Sequence, residues 1–154
     1  AAGAPDGAAA CGMAARDSLR AEACLPGYGR ELDETVDPVS AGLDGAAVRM
    51  PGHDFIGKSA LASIAATGPA RRLVAFRMTE DGDPRQGCPI TAGDRAVGAV
   101  TTGLFSPNAG SMVGMGYVEA ASAQVGGAVH IVIRDARKAA RIVERPFYRT
   151  PHGR

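Results

Sequence analysis

Apolar positions change their rhythm once along this chain, close to residue 68. Before that point they recur at helical spacing; after it they fall in short, β-branched stretches. From Met13 to Leu25 the pattern predicts a helix, because Ala15, Leu19 and Ala23 fall at i, i+4 and i+8 on one face. Pro26-Gly27 ends it. Asp37 is placed to cap a short helical turn with Pro38 at its first position. The stretch "AAVRM" reads as a short strand and "MPGH" as a turn. Asp54 then caps "FIGKSALASIAATG", whose Ile56, Ala60, Leu61 and Ile64 make an amphipathic helix ending at Gly68-Pro69. Residues 1–10, all Ala, Gly, Pro and Asp, read as linker or as the end of an earlier element.

Beyond Gly68, "RRLVAFRM" is a strand, and "DGDPRQGCPI" is turn chemistry leading into a strand. "RAVGAVTTGLF", "SMVGMGYV", "AVHIVIRD" and "KAARIVERPFY" follow at nearly regular spacing, bounded by Gly, Pro, Asn or Asp. Val129, Ile131 and Ile133 alternate with His130, Val132 and Arg134, and "RDARK" reads as a hairpin turn. Five or six short antiparallel strands over about 80 residues predict a small barrel or sandwich. The boundary at residues 67–71 sets it apart from an α+β portion.

Composition narrows the partners. Apolar residues make up 45% of the 154, but aromatics only 5% and Trp is absent, so the core is aliphatic. Seventeen basic residues stand against 16 acidic ones, which gives nucleic-acid binding little support. All the basic residues but Lys58 and Lys138 are arginines, a bias that suits planar recognition of carboxylates. Cys11, Cys24 and Cys88 are odd in number and match no metal spacing, so they read as reduced thiols of a cytoplasmic protein. His53, His130 and His152 form no spaced cluster, which argues against a metal site. No apolar run approaches a membrane span. The first residues lack both a signal-peptide pattern and an initiator Met, so the chain is expected to be processed or part of something longer.

Two charged residues raise chemical questions. Glu22 comes three residues after Leu19 and next to Ala23, so it borders the apolar stripe of its helix. Its carboxylate is salt-bridged to Arg20 or Arg30, solvated, or kept for a ligand. Arg85 follows Pro84 in a turn and is either solvated or a fork for a carboxylate. Tyr28 reads as a packing residue with a hydrogen-bonded hydroxyl. Gly98, Gly103 and Gly110 are turn or bend residues, not a phosphate loop.

The segment "CGMAARDSLRAEACLPGYGRELDETVDPVSAGL" resembles a block of the glycine cleavage T-protein family, the tetrahydrofolate-dependent aminomethyltransferases. "DFIGKSAL", "GDPRQGCPI", "GAVTTGLFSPNAGSMVGMGYV" and "PFY" follow in that family's order. Folate-binding segments of dimethylglycine and sarcosine oxidising enzymes share a block like "DFIGKSAL". The chain departs from the family at Leu43-Asp44-Gly45, where Leu-Gly-Trp is common, and at Gly27-Tyr28-Gly29, where Leu-Tyr-Gly is usual.

The resemblance implies an α+β portion over residues 1–66, the end of a folate-binding domain. A C-terminal antiparallel β-barrel over 69–149 and a tail over 150–154 follow. It implies transfer of a methylene from the lipoyl-bound aminomethyl group of the H-protein to tetrahydrofolate, with release of ammonia and with neither a metal nor pyridoxal phosphate. The compartment would be the bacterial cytoplasm, or the mitochondrial matrix in a eukaryote, with no membrane or nucleic-acid partner. Glu22 stands at the family's pterin-binding glutamate, where a carboxylate can accept two adjacent N–H donors. Arg85 matches an arginine near the active cleft. Arg49 is a candidate for the glutamyl tail of folate. None of the carboxylates present matches the family's catalytic aspartate, so the chain by itself is expected to be inactive. The alternative of another class is a non-catalytic folate-binding or scaffold module. The Lys-Gly-Cys-Tyr motif of the iron–sulfur branch is absent.

Overall fold

The apolar run "LVAF" is buried on both faces, and this arranges everything around it. A computed structural model of the chain describes residues 3–48 and 50–149. In it the second half is a closed antiparallel barrel of six strands: β1 (Arg71–Met78), β2 (Pro89–Ala92), β3 (Arg95–Ser106), β4 (Ser111–Glu119), β5 (Ala128–Ile133) and β6 (Ala136–Val143). Their order around the barrel is β1-β4-β3-β2-β5-β6, and β6 closes onto β1. Val74, Phe76 and Met78 point into the barrel with Ile90, Val100, Val118, Ile131 and Ile142. Leu73 and Ala75 alternate outward and meet Met115, Tyr117 and Cys24. Both faces of β1 are thus covered, which is why it reads as an unbroken apolar run.

Glycines of β4 make room for the core. A Cβ on Gly114 would collide with the Phe76 ring, the register partner across β1. Phe76 is fully buried, which stabilises the barrel by roughly 1.5–3 kcal/mol. Arg134 and Asp135 have φ of 47° and 66°, the left-handed pair of a tight hairpin turn between β5 and β6.

Among the described residues the first half holds three short α-helices: α1 (Met13–Glu22), α2 (Pro38–Ala41) and α3 (Lys58–Thr67). Asp37 caps α2 as the sequence predicts, its Oδ1 accepting from Ser40 N at 2.8 Å and its Oδ2 from Ser40 Oγ at 2.6 Å. Other expectations need correction. Helix α1 stops at Glu22, because Cys24 turns left-handed at φ 52° and the chain leaves before Pro26. Its buried side is not the Ala15-Leu19-Ala23 stripe: Leu19 is 67% exposed, while Ala21, Glu22 and Cys24 face the barrel. Asp54 does not cap α3; Gly57 precedes it, and no residue of that helix is buried. Residues 46–48 lie in turn or irregular backbone instead of a strand. Tyr28 is 77% exposed and packs against no core. Among the described residues, no helix is long and apolar enough to cross a membrane.

Candidate functional site at the helix–barrel seam

Helix α1 is built from good helix formers, Ala, Arg, Leu and Glu, with few apolar groups to bury. It lies across β3, and what fastens it there is polar. Two carboxylates, Glu31 and Glu22, each take several donors from the far half of the chain.

Glu31 is fully buried. Its Oε2 accepts from Arg20 Nη1 at 2.8 Å and from Gly27 N at 2.9 Å. Its Oε1 accepts from Thr101 Oγ1 at 2.7 Å and Thr102 Oγ1 at 2.5 Å. These donors fill the roughly four acceptor sites of a carboxylate. Adjacent strand residues normally point to opposite faces. Here the β3–β4 register shifts between Val100 and Thr102, so Thr101 is the extra residue of a bulge and both threonines reach one carboxylate. Arg20 also donates to the Leu25 carbonyl and to Thr102 Oγ1, and its side chain is only 9% exposed. The Tyr117 hydroxyl donates to the Glu31 backbone carbonyl at 2.9 Å. Burial pushes the Tyr117 phenol up to about 12, against the opposing pull of the Arg71 guanidinium over its ring.

Glu22 is 4% exposed at the end of α1. Its Oε1 accepts from Ser106 Oγ at 2.6 Å and Asn108 N at 3.0 Å, and its Oε2 from Asn108 Nδ2 at 2.7 Å. Ser106 Oγ in turn accepts from Ala109 N, so its proton is free to go to Glu22. Burial drives the Glu22 carboxyl upward, but the hydrogen bonds from Ser106 and Asn108 outweigh it and hold the group below the ordinary value of 4.5. It is therefore an ionised carboxylate at a nearly buried position. Among the described residues Oε2 takes one donor, where a carboxylate oxygen can accept about two.

Neither arginine weighed as a partner reaches Glu22. Arg20 goes to Glu31, and Arg30 goes to Asp17 at 3.3 Å. Arg85 is 78% exposed and pairs with Asp83 at 2.8 Å, which lifts its already high value further. It borders a shallow depression with Gly82, Ile133 and Arg134 and shares no hydrogen bond or ion pair with Glu22. The neighbouring Pro84 is seated on β3, where Gly103 leaves room for its carbonyl. Arg49 lies outside the described residues. Among the described residues, no group of three or more His, Cys, Asp or Glu side chains is placed to hold a metal ion.

Sequence reasoning missed Arg20, Glu31, Thr101, Thr102, Ser106 and Asn108. A weak signal existed: two adjacent threonines in an otherwise aliphatic strand, and a second glutamate just after the Pro26-Gly27 turn.

Known proteins resemble both halves of the chain. The profile described as the glycine cleavage T-protein C-terminal barrel domain matches residues 71–149, and the GCVT N-terminal domain profile matches residues 1–50. An aminomethyltransferase of Symbiobacterium thermophilum is 47% identical over 153 residues, covering 99% of this chain and 41% of the relative. One from Geobacillus kaustophilus is 45% identical over 149 residues, covering 97% and 41%. The crystal structure of glycine cleavage system aminomethyltransferase T from Bartonella henselae superposes with a TM-score of 0.83 at 31% identity, over 89% of this chain and 39% of that one. The chain thus spans about 40% of the length of these curated relatives.

Proposed function

The chain belongs to the glycine cleavage T-protein family, and from that premise we propose that it is the C-terminal part of a tetrahydrofolate-dependent aminomethyltransferase. Residues 1–66 would be the end of the folate-binding domain, 69–149 the barrel domain and 150–154 a tail. In the reaction, N5 of tetrahydrofolate attacks the methylene carbon of the aminomethyl group on the lipoyl arm of the H-protein. Ammonia leaves, the methylene bridges the folate, and the lipoyl arm departs reduced. Holding two partners in register supplies most of the acceleration such a transfer needs. The bacterial relatives favour a cytoplasmic setting.

One observation carries the reading at residue level. Glu22 is a buried, ionised carboxylate whose Oε2 takes one donor among the described residues and can accept at a second site, on the helix of the "RDSLRAEA" block. A pterin N–H donor would fill that site through Oε2. Oε1 already has two protein donors, so a ligand meets one oxygen and not both. Arg85 would act near the cleft and Arg49 at the glutamyl tail, each as a fork for carboxylates.

The test is Glu22→Gln in the full-length polypeptide carrying this chain. Tetrahydrofolate affinity by calorimetry should fall by about 1.5–3 kcal/mol, the range for a hydrogen bond to a charged group. Equal affinity in the two proteins would remove Glu22 from the binding site.

A further inference from the structure

The Glu22 carboxylate belongs to the helical half of the chain, but every side-chain hydrogen bond it accepts comes from the barrel. Ser106 ends β3 and is fully buried; Asn108 stands in the turn that follows and is exposed. Together they place three donors on Glu22, 84 and 86 residues away along the chain. The two bonds to Oε1 and the one to Oε2 fix the carboxylate about its terminal torsion, which is otherwise soft.

We propose that Ser106 and Asn108 are positioning residues for the ligand-facing carboxylate of Glu22, so that the barrel decides where that carboxylate meets its ligand. The inference rests on the reading of Glu22 as a folate contact and extends it to two barrel residues. They do not touch the ligand. Their work is to fix the direction of Oε2 and to keep the nearly buried carboxylate charged.

The surroundings leave this work to them. From α1, Arg20 is turned to Glu31 and Asp17 to Arg30. From the C-terminal segment, Tyr148 offers only its backbone amide, and to the Glu22 carbonyl. Cys24, two residues on, is a buried thiol that burial keeps protonated. Among the described residues no basic side chain pairs with Glu22, so its charge depends on neutral donors. Without them burial acts unopposed and the carboxyl takes up a proton at higher pH.

The experiment uses the full-length polypeptide, tetrahydrofolate under anaerobic conditions, and titrations across pH 4–8. Asn108→Ala tests the exposed donor at little risk to folding, and Ser106→Ala tests the buried one. Each variant should bind tetrahydrofolate about tenfold more weakly at neutral pH, the loss of one hydrogen bond to a charged group. The acid limb of the affinity profile should move to higher pH. The ligand's own titration is common to all the proteins and cancels. A merely structural role would lower the melting temperature without moving that limb. Unchanged affinity and an unchanged limb in Asn108→Ala, with Glu22→Gln still weakened, overturn the proposal and leave the folate reading intact. Tighter binding by Asn108→Ala also overturns it, since Asn108 would then be competing with the ligand. If Glu22→Gln binds normally, the folate reading itself fails, and the proposal with it.

Discussion

Replacing Glu31 is the most severe single change the seam offers. Glu31→Ala leaves the Arg20 guanidinium, 9% exposed, without its closest anion and takes the acceptor from the Thr102 hydroxyl, while Thr101 keeps the Met115 carbonyl at 3.1 Å. Asp17 lies 3.5 Å from Arg20 Nε and compensates in part. Breaking a buried pair from one side costs about 3–5 kcal/mol, because the remaining charge stays buried. For a chain of this length that corresponds to a fall in melting temperature of roughly 6–20 °C. Glu31→Gln keeps the shape but offers one acceptor oxygen, so either the Arg20–Gly27 side or the Thr101–Thr102 side loses its partner; about 1–3 kcal/mol is expected. Urea unfolding should report both losses, and hydrogen exchange should locate them. Amides of α1 should exchange sooner while those of β4 keep their protection, since the barrel core does not include Glu31. A Glu31→Gln protein with a free energy within ~0.5 kcal/mol of the parent, and α1 equally protected, would refute the idea that this carboxylate docks the helix.

Two more outcomes follow from the same geometry. Arg85→Ala should lower turnover of the full-length enzyme while its melting temperature stays within ~2 °C, because the side chain is exposed and meets only Asp83; normal turnover would return it to a solvated turn. Tyr117→Phe should cost about 0.5–1.5 kcal/mol through the lost bond to the Glu31 carbonyl. It should also flatten the alkaline limb of stability. The folded phenol lies near 12 and the unfolded one near 10, so the unfolded state loses its proton first and stability falls as pH climbs between them. A limb unchanged in Tyr117→Phe would assign it to other groups.

The barrel was legible because its signal is local. β-Branched runs bounded by turn residues gave every strand, and the buried alternation of Val129 and Ile131 followed from period two. Asp37-Pro38 was likewise a neighbourly pattern. The docking of α1 was not legible, since Leu19 faces outward and Ala21 is buried beside the charged Glu22. A periodicity argument assumes that the buried face is the apolar one. Here Leu19 is exposed and Glu22 is buried, because hydrogen bonds from β3 and the following turn replace apolar area. Those partners lie more than 70 positions away, and the Thr101 bulge hides them further by breaking strand alternation. Glu22 was singled out by its place beside the apolar stripe, with its meaning left open; the reading of it as a ligand contact came from the block that resembles a family.

The distance between these partners also sets an order of events during synthesis. Helix α1 leaves the ribosome first, while Thr102 and Ser106 follow 71 and 84 residues behind the glutamates they bind. At ~5–20 residues per second, that delay is on the order of several seconds. Through that interval Glu22 and Glu31 lack the donors that β3 and its following turn supply. The β3–β4 hairpin, whose strands are joined by a short turn, can pair as soon as it emerges. Assembly of the seam therefore waits for the barrel strand that carries its donors.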